Sequence, residues 1–273
     1  MGDCPETENI KHVADGNIEK YKARFVARGF SQKEGVDYDE TFAPVARYTS
    51  IRTIIVIALV MGWKLHQMDV KTAFLNGVVD QEVYIEQPQG FIIHESKSHV
   101  CKLKKALYGL KQAPRTRYVR TDGFLTSLGF TKSIVDPNLY FIVVDGFPVI
   151  LILYVDDLFL TRNEKLIADC KKELSREFEM KDIGLKHYFL GLEVWQRFGE
   201  IFLNQGKYTV EILKRFEMMD CKSMATPMNS NLKLLNDDTS EQVDPTVYRQ
   251  LIESLMYLVN TRSNICFAVN ALS

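Results

Sequence analysis

Apolar positions along the first third of the chain recur with a helical period and then give way to a strand-like stretch. Ser50 is predicted as an N-cap, and the helix after it ends at Gly62. Stretch 63–70 is predicted to be a strand that carries Asp69 at its end. The helix's apolar residues, spaced three and four apart, are Ile51, Ile54, Ile55 and Ala58.

Two strongly apolar runs, 138–144 and 148–155, flank the pair Asp145-Gly146. Asp-Gly between such runs is typical of a tight β-hairpin. A second turn at Asp156-Asp157 returns the chain as a third run, which predicts a three-stranded antiparallel meander. The run before Asp156 does not alternate between apolar and polar residues, so this strand is predicted to be buried on both faces.

Helical and strand patterns also mix in the second half of the chain. Asn163 is predicted to cap a helix that carries its apolar residues on one face. A mixture of helices with a central antiparallel meander predicts an α+β fold. The later predicted elements are strands at 188–195 and 200–204, helices at 207–216 and 248–259, and a loop at 222–246.

Composition narrows the class of protein. A content of 46% hydrophobic and 25% charged residues is typical of a globular chain rather than a disordered one. No uninterrupted apolar run approaches the roughly 20 residues of a membrane span, and no apolar run begins the chain as in a signal peptide. We therefore expect an intracellular protein without a membrane partner. The dispersed cysteines, which predict reduced thiols rather than disulfides or a zinc site, are Cys4, Cys101, Cys170, Cys221 and Cys266.

Charge is unevenly distributed. The net charge of −1 disfavours a nucleic-acid binder when the chain is averaged. Residues 96–121, however, contain eight Lys or Arg and no acidic residue, and a second basic stretch lies at 20–33. Such stretches either contact a phosphate backbone or form a solvated surface, and the sequence leaves both interpretations open.

Asp69, Asp156 and Asp157 are the candidate chemical groups. Adjacent acids repel each other and need a counter-charge, although Asp is also a common turn residue. Three carboxylates delivered by two strands can hold two Mg²⁺ ions, with Mn²⁺ as a possible substitute, because hard cations prefer oxygen ligands. Such a site supports phosphoryl transfer, which depends on positioning and charge neutralisation.

Eight sequence blocks make the pattern recognisable, and with them the chain resembles the reverse transcriptase of copia-type LTR retrotransposons over roughly residues 12–273. The blocks are YKARFVARGFSQKEGVDYDETFAPVA (21–46), LHQMDVKTAFLNG (65–77), VYIEQPQGF (83–91), CKLKKALYGLKQAPR (101–115), YVDD (154–157), YFLGLEV (188–194), KYTVEILKRF (207–216) and YLVNTRSNICFAVNALS (257–273).

The resemblance implies a right-hand polymerase palm with an antiparallel sheet and packed helices, N-terminal fingers and a C-terminal helical thumb. The implied division is a divergent lead-in at 1–19, fingers and palm at 20–195, and a thumb-like region at 196–273. No ribonuclease H, protease or integrase segment is expected within these residues.

The resemblance also implies a set of site residues. Asp69, Asp156 and Asp157 would be both the catalytic residues and the ligands of the metal ions. Phe74 would exclude a 2′-hydroxyl, and an ordinary core residue is the alternative. The other implied nucleotide-binding residues are Lys22, Arg24 and Gly109, for which a solvated basic surface and a simple turn glycine are the alternatives.

Two further groups of residues would contact the nucleic acid. Leu190-Gly191 resembles the primer grip. The basic stretch would face the template-primer backbone, through Lys102, Lys104, Lys105, Lys111 and Arg115.

By resemblance, the function is that of an RNA-directed DNA polymerase. Its partners would be an RNA or DNA template with a primer, dNTPs, and other parts of the same polyprotein. Such proteins act in cytoplasmic virus-like particles, where we expect this one.

Several positions depart from the pattern associated with this family. Arg117 stands where a Trp is usual, and Arg162 and Glu253 stand where Gly is usual. Each departure would cost about 1–4 kcal/mol if its site is buried or needs positive φ. The alternative function is therefore a decayed, catalytically silent fragment that retains at most nucleic-acid binding.

Overall fold

A computed structural model describes most of the chain. The described residues are 9–12, 18–22, 25–42, 45, 47–79, 81–88, 90–93, 98–162, 164–185, 188–189, 191–229 and 243–273. The chain divides into two compact units, Met1–Leu185 and Lys186–Ser273. The predicted cap Asn163 lies outside the described residues.

A six-stranded antiparallel sheet forms the centre of the first unit. Its strand order is β10-β3-β9-β8-β7-β6. These strands are β3 (Lys64–Val70), β6 (Thr131–Lys132), β7 (Leu139–Val144), β8 (Phe147–Tyr154), β9 (Asp157–Arg162) and β10 (Met180–Leu185). Two separate hairpins pair β1 (Asn9–His12) with β2 (Ile18–Lys22) and β4 (Tyr84–Ile85) with β5 (Cys101–Lys102).

The predicted meander is confirmed as β7, β8 and β9. Asp145 and Gly146 both have positive φ, 53° and 79°, as a tight hairpin turn of this kind requires. Every residue from Val149 to Leu153 is buried, which confirms that β8 is covered on both faces. The sheet is wider than predicted, because β3 pairs with β9 and the mostly exposed strand β10 adds an edge.

Three helices pack in the first unit: α1 (Tyr48–Val60), α2 (Ala113–Ser127) and α3 (Glu164–Glu177). The predicted cap at Ser50 is wrong, since α1 begins at Tyr48 after Arg47, which makes no side-chain cap. The apolar residues of α2 and α3 enclose one core with those of the sheet. Members of this core are Met68, Val70, Tyr118, Leu125, Tyr140, Leu151, Leu158, Ile167 and Leu174.

The second unit contains a three-stranded sheet and three helices. Its strands, in the order β11-β12-β13, are β11 (Tyr188–Phe189), β12 (Leu192–Arg197) and β13 (Glu200–Asn204). Its helices are α4 (Gly206–Arg215), α5 (Pro245–Leu258) and α6 (Cys266–Leu272). The side chain of Asp244 caps α5 by accepting a hydrogen bond from the Thr246 N–H at 2.7 Å. None of the helices in the described ranges is long and apolar enough to cross a membrane.

Candidate active site

The strand pairing of the first unit brings the three predicted carboxylates to one end of two adjacent strands. Asp69, near the end of β3, is the direct cross-strand partner of Asp157, which begins β9. Asp156 lies in the turn just before β9, and its carbonyl accepts a hydrogen bond from the Val70 N–H at 2.7 Å. Asp69 and the Asp156-Asp157 pair are about 90 positions apart in the sequence. They are neighbours in the structure because β3 and β9 are paired strands of one sheet.

The turn that carries Asp156 has an unusual backbone. Val155 has a φ of 42°, and Tyr154 pairs with Asp157 across the turn. A β-branched residue rarely adopts the left-handed region, and its strain there is of the order of 1–3 kcal/mol. The well-buried strands on both sides hold the turn in this conformation, which fixes where the two carboxylates emerge.

Gln67 is a site residue that the sequence analysis missed. Its side chain is 3% exposed, and its amide donates a hydrogen bond to Oδ1 of Asp157. A signal was available, since Gln67 is a polar residue two positions before Asp69 and therefore shares its face of the strand. The amide fixes the orientation of the Asp157 carboxylate.

Phe74 lies close to this end of the sheet, in a short 3-10 helix (Ala73–Asn76) that follows β3. It is half-buried, and its ring meets the ring of Tyr108 edge to face at a centroid distance of 4.8 Å. Contact of Phe74 with a sugar stays a prediction. Tyr108 is a second residue that the sequence analysis missed, next to the predicted Gly109.

Gly109 has a local structural reason to be glycine. Its φ is 89°, and a Cβ there would overlap the carbonyl oxygen of Ala27 and lie 2.8 Å from Cγ1 of Val26. The Ala27 N–H donates a hydrogen bond to the Tyr108 carbonyl at 2.7 Å, so two backbone segments pack directly together here. Contact of Gly109 with a nucleotide stays a prediction.

The carboxylate oxygens of Asp69, Asp156 and Asp157 are of the kind that divalent cations prefer. Strand pairing places the backbones of these residues next to one another. Across the part of the chain that the structure describes, however, no three side chains of metal-ligating types are grouped to hold an ion. Asp157 is instead oriented by Gln67. The support for a metal therefore comes from the strand pairing rather than from a formed ligand cage.

Comparison with known proteins decides the family. The model of the family "Reverse transcriptase (RNA-dependent DNA polymerase)" matches residues 8–230. The chain belongs to this reverse transcriptase family. Its membership confirms the resemblance drawn from the sequence blocks, and it makes the chain a member of an RNA-directed DNA polymerase family.

The curated relatives that the chain matches include transposon polyproteins. The retrovirus-related Pol polyprotein from transposon RE1 of Arabidopsis thaliana is 42% identical over 96% of the chain, which covers 18% of that relative. The corresponding polyprotein from transposon TNT 1-94 of Nicotiana tabacum is 41% identical over 99% of the chain and 21% of its own length. The chain thus spans about a fifth of these relatives.

Among solved structures, one similar chain is telomerase from Candida albicans in complex with a fragment of telomeric RNA. It is 11% identical, and the match covers 84% of this chain and 44% of that chain with a TM-score of 0.31.

Arg117 is where this chain departs most clearly from the expected pattern. The residue is 5% exposed on α2, and its Nη2 has no hydrogen-bond partner among the described residues. Burial lowers the pKa of Arg117 to about 10, while the negative charge of Asp156, and less strongly that of Asp157, acts in the opposite direction. The side chain therefore remains a cation at neutral pH, and it interacts electrostatically with the carboxylate site.

The other two departures lie at Glu253 and Arg162. Glu253 is exposed on α5, so the predicted cost of a buried charge does not arise there. Arg162 ends β9 opposite Lys64, and neither it nor Glu253 is among the described residues with positive φ. The condition for a destabilising burial is met at Arg117 and not at Glu253.

The basic residues predicted to face the template-primer are all at least partly solvent-exposed. Lys102 pairs with Glu82, and Arg115 pairs with Glu40 at 3.2 Å. The remaining three, Lys104, Lys105 and Lys111, form no ion pair with any residue in the described ranges. Acidic residues distant in sequence thus neutralise part of the stretch, which its own sequence does not reveal.

Three of the predicted site residues lie partly or wholly outside the described part of the chain. Arg24 and Leu190 are outside the described residues, and only the backbone of Lys22, at the end of β2, is described. Gly191 lies in the second unit with a φ of 72°, and a Cβ there would overlap the hydroxyl of Tyr257. Its role in a primer grip stays a prediction.

Proposed function

We propose that this chain is the RNA-directed DNA polymerase core of a copia-type retrotransposon. It would add dNTPs to a primer on an RNA or DNA template by two-metal phosphoryl transfer. The observation that carries the proposal is the cross-strand pairing of Asp69 with Asp157, with Asp156 in the adjoining turn. Family membership supports the polymerase chemistry. Because the chain spans about a fifth of its relatives, its activity apart from them is part of the proposal.

Asp69, Asp156 and Asp157 would hold Mg²⁺, whose chemistry is activation of the primer 3′-hydroxyl and neutralisation of charge at the leaving pyrophosphate. The protein's own contribution is positional. Gln67 orients Asp157 through its amide, and the strained turn at Val155 presents Asp156. Phosphoryl transfer gains most from such positioning and from preorganised charge.

Selection of the nucleotide would fall to Phe74, which Tyr108 supports from one edge. A fixed ring beside the sugar would clash with a 2′-hydroxyl and leave a deoxyribose unhindered. Lys22 and Arg24 are proposed to contact the triphosphate, because guanidinium and ammonium groups form strong charge-assisted hydrogen bonds with phosphate.

Contact with the template-primer is proposed for the exposed basic stretch, in which Lys104, Lys105 and Lys111 have no ion pair within the described residues. Phosphate contacts are independent of sequence and weaken with salt. Replacing these three lysines by Gln is expected to remove two to three phosphate contacts. The affinity for the template-primer should then decrease less steeply as the salt concentration rises. We further propose that residues 20–195 form the fingers and palm and that residues 196–273 form the thumb.

The experiment is primer extension on an RNA template with Mg²⁺ and dNTPs, comparing the wild-type chain with Asp156→Asn. Extension is expected from the wild type and not from the variant, because the variant loses a metal ligand. Equal extension by both proteins would overturn the proposal.

A second function is favoured by the buried charge of Arg117, which interacts electrostatically with Asp156. A chain that no longer recruits metal would bind the template without extending it. Binding without extension, equal in the wild type and in Asp156→Asn and weakening with salt, would establish this alternative.

A further inference from the structure

The two basic stretches of the sequence meet in the first unit, where their backbones pack together. The Ala27 N–H donates a hydrogen bond to the Tyr108 carbonyl at 2.7 Å. Gly29 lies so close to Gly109 that a Cβ on Gly29 would overlap the Gly109 carbonyl oxygen. Residues about 80 positions apart in the sequence are therefore held in direct contact.

Gln32 joins the same two stretches through its side chain. Its Oε1 accepts a hydrogen bond from the Lys111 N–H at 2.8 Å, and its Nε2 donates one to Oε1 of Gln112 at 3.0 Å. Both glutamines are buried, and a buried amide with partners on its oxygen and its nitrogen is costly to displace. Gln32 therefore fixes the turn formed by residues 28–33, which we call the Phe30 turn.

Phe30 lies at the surface of this turn and is 82% exposed. The residue before it, Gly29, is buried. Two hydrogen bonds close the turn, since the N–H and the hydroxyl of Ser31 donate to the Arg28 carbonyl at 3.1 and 2.7 Å. A single exposed aromatic residue is common on protein surfaces, so the meaning of Phe30 depends on the groups around it.

Cations flank Phe30, either within its own turn or on the segment bound to it. These cations are Arg28, Lys33 and Lys111. None of the three forms an ion pair with a residue in the described ranges. Two acids, Glu34 and Asp37, follow in the same loop, and Oδ2 of Asp37 already accepts a hydrogen bond from the Lys33 N–H at 2.8 Å. The Phe30 turn thus combines an exposed ring with cations that ion pairs do not neutralise.

Proteins that bind single-stranded nucleic acid combine cations, which contact the phosphates, with exposed aromatic rings, on which the bases stack. A base inside a duplex is already stacked and paired, so an exposed ring takes an unpaired base most readily. We infer that Phe30 is a stacking residue for an unpaired base of the template strand, and that the three cations contact the adjoining phosphates. The inference rests on the proposed function, which takes the basic surface as the contact for nucleic acid.

Packing connects the Phe30 turn to the candidate active site. Val26 pairs with Tyr108 as an isolated β-bridge, and the ring of Tyr108 meets that of Phe74, five residues after Asp69. The strand that is unpaired beside a primer end is the template ahead of it, because every primer base is paired up to the 3′ end. Phe30 therefore takes a template base that has not yet been copied.

The test is fluorescence anisotropy of labelled single-stranded oligonucleotides that bind to the full chain. Oligothymidylate offers bases and phosphates, while an oligomer of abasic sites of the same length offers phosphates alone. Phe30→Ala should bind oligothymidylate about five- to a hundredfold more weakly than the wild type, because it loses the stacking of a base on an aromatic ring. It should bind the abasic oligomer as the wild type does.

Three further variants separate stacking from charge and from folding. Phe30→Tyr keeps the ring and should restore the binding of oligothymidylate. Val36→Ala shortens an apolar side chain that is 81% exposed in the same loop, and it should match the wild type with both oligomers. Lys33→Gln should weaken the binding of both oligomers alike and lower the salt dependence by about one phosphate contact. Urea unfolding should be the same in Phe30→Ala and the wild type, because the ring is exposed.

The outcomes distinguish the inference from the proposed function. Equal binding of oligothymidylate by the wild type and Phe30→Ala overturns the inference, and so does an equal loss with the abasic oligomer. A loss of the same size in Phe30→Tyr or in Val36→Ala also overturns it. If the wild type meanwhile binds both oligomers and extends a primer, the proposed function stands without the inference. If the wild type binds neither oligomer, the proposed template contact is wrong, and the inference is overturned with it.

Discussion

Phe74 and Tyr108 pack edge to face, with 4.8 Å between their ring centroids and 73° between their ring planes. They come from opposite ends of a segment of more than 30 residues and meet beside the strand that carries Asp69. Because the two rings come from different residues, each can be substituted separately to test the proposed selection of the sugar.

We expect Phe74→Val to lower the preference for dNTP over rNTP by tenfold or more, because it opens space for a 2′-hydroxyl. Tyr108→Leu removes the edge contact, worth about 0.5–1.5 kcal/mol, and should lower the preference about two- to tenfold. Tyr108→Phe retains the ring and serves as the control. Single-nucleotide incorporation with each substrate measures the ratio, and an unchanged ratio in Phe74→Val would contradict the sugar-contacting role.

Gln67→Leu is expected to slow nucleotide addition about ten- to a hundredfold. The amide donates to the Asp157 carboxylate, and a hydrogen bond to a charged group is worth about 1.5–3 kcal/mol. Leu has nearly the same size, so urea unfolding should change much less than the rate. Single-turnover primer extension measures the rate, and wild-type turnover in a folded Gln67→Leu chain would show that Asp157 needs no orienting donor.

Gly109→Ala should destabilise the first unit by about 2–4 kcal/mol, since its Cβ would overlap the Ala27 carbonyl at a φ of 89°. Gly123→Ala is the matched control, because Gly123 lies within α2 and a Cβ there meets nothing within 4 Å. The control should stabilise the chain by about 0.5–1 kcal/mol. Urea denaturation compares the two, and similar effects at both sites would contradict the close packing at Gly109.

Acidification is expected to destabilise the first unit through His66. Burial and the charge of Lys171 lower the pKa of His66, and Lys171 Nζ donates a hydrogen bond to its Nδ1 at 3.2 Å. The folded state therefore binds this proton less readily than the unfolded state, so the stability is complete above about pH 6.5 and declines as the pH falls below it. The other charged groups that act on His66 are Asp182, Glu164 and Lys64.

His66→Gln provides the comparison for this pH dependence. Gln does not titrate, and its carbonyl can still accept the hydrogen bond from Lys171. The free energy of unfolding, measured in urea between pH 7 and pH 5, should decline less steeply in the variant than in the wild type. Parallel curves for the two proteins would assign the decline to other groups.

Much of the central sheet could be predicted because its signals are local. Asp145-Gly146 between apolar runs determines a tight turn, and the absence of alternation before Asp156 determines a strand covered on both faces. The start of α1 was predicted three residues late, because Arg47 precedes it without a capping side chain. β10 gave no periodic signal, since it lies at the sheet edge with most of its side chains exposed.

The sequence by itself determined the family and the three carboxylates, since both depend on the order and identity of residues within short blocks. Only the tertiary structure decided how these groups are coupled. Gln67 reaches Asp157, 90 positions away in sequence, because β3 and β9 pair. The physical reason is that hydrogen bonding and charge interactions depend on distances in space, which strand pairing and helix packing set between residues far apart in the chain.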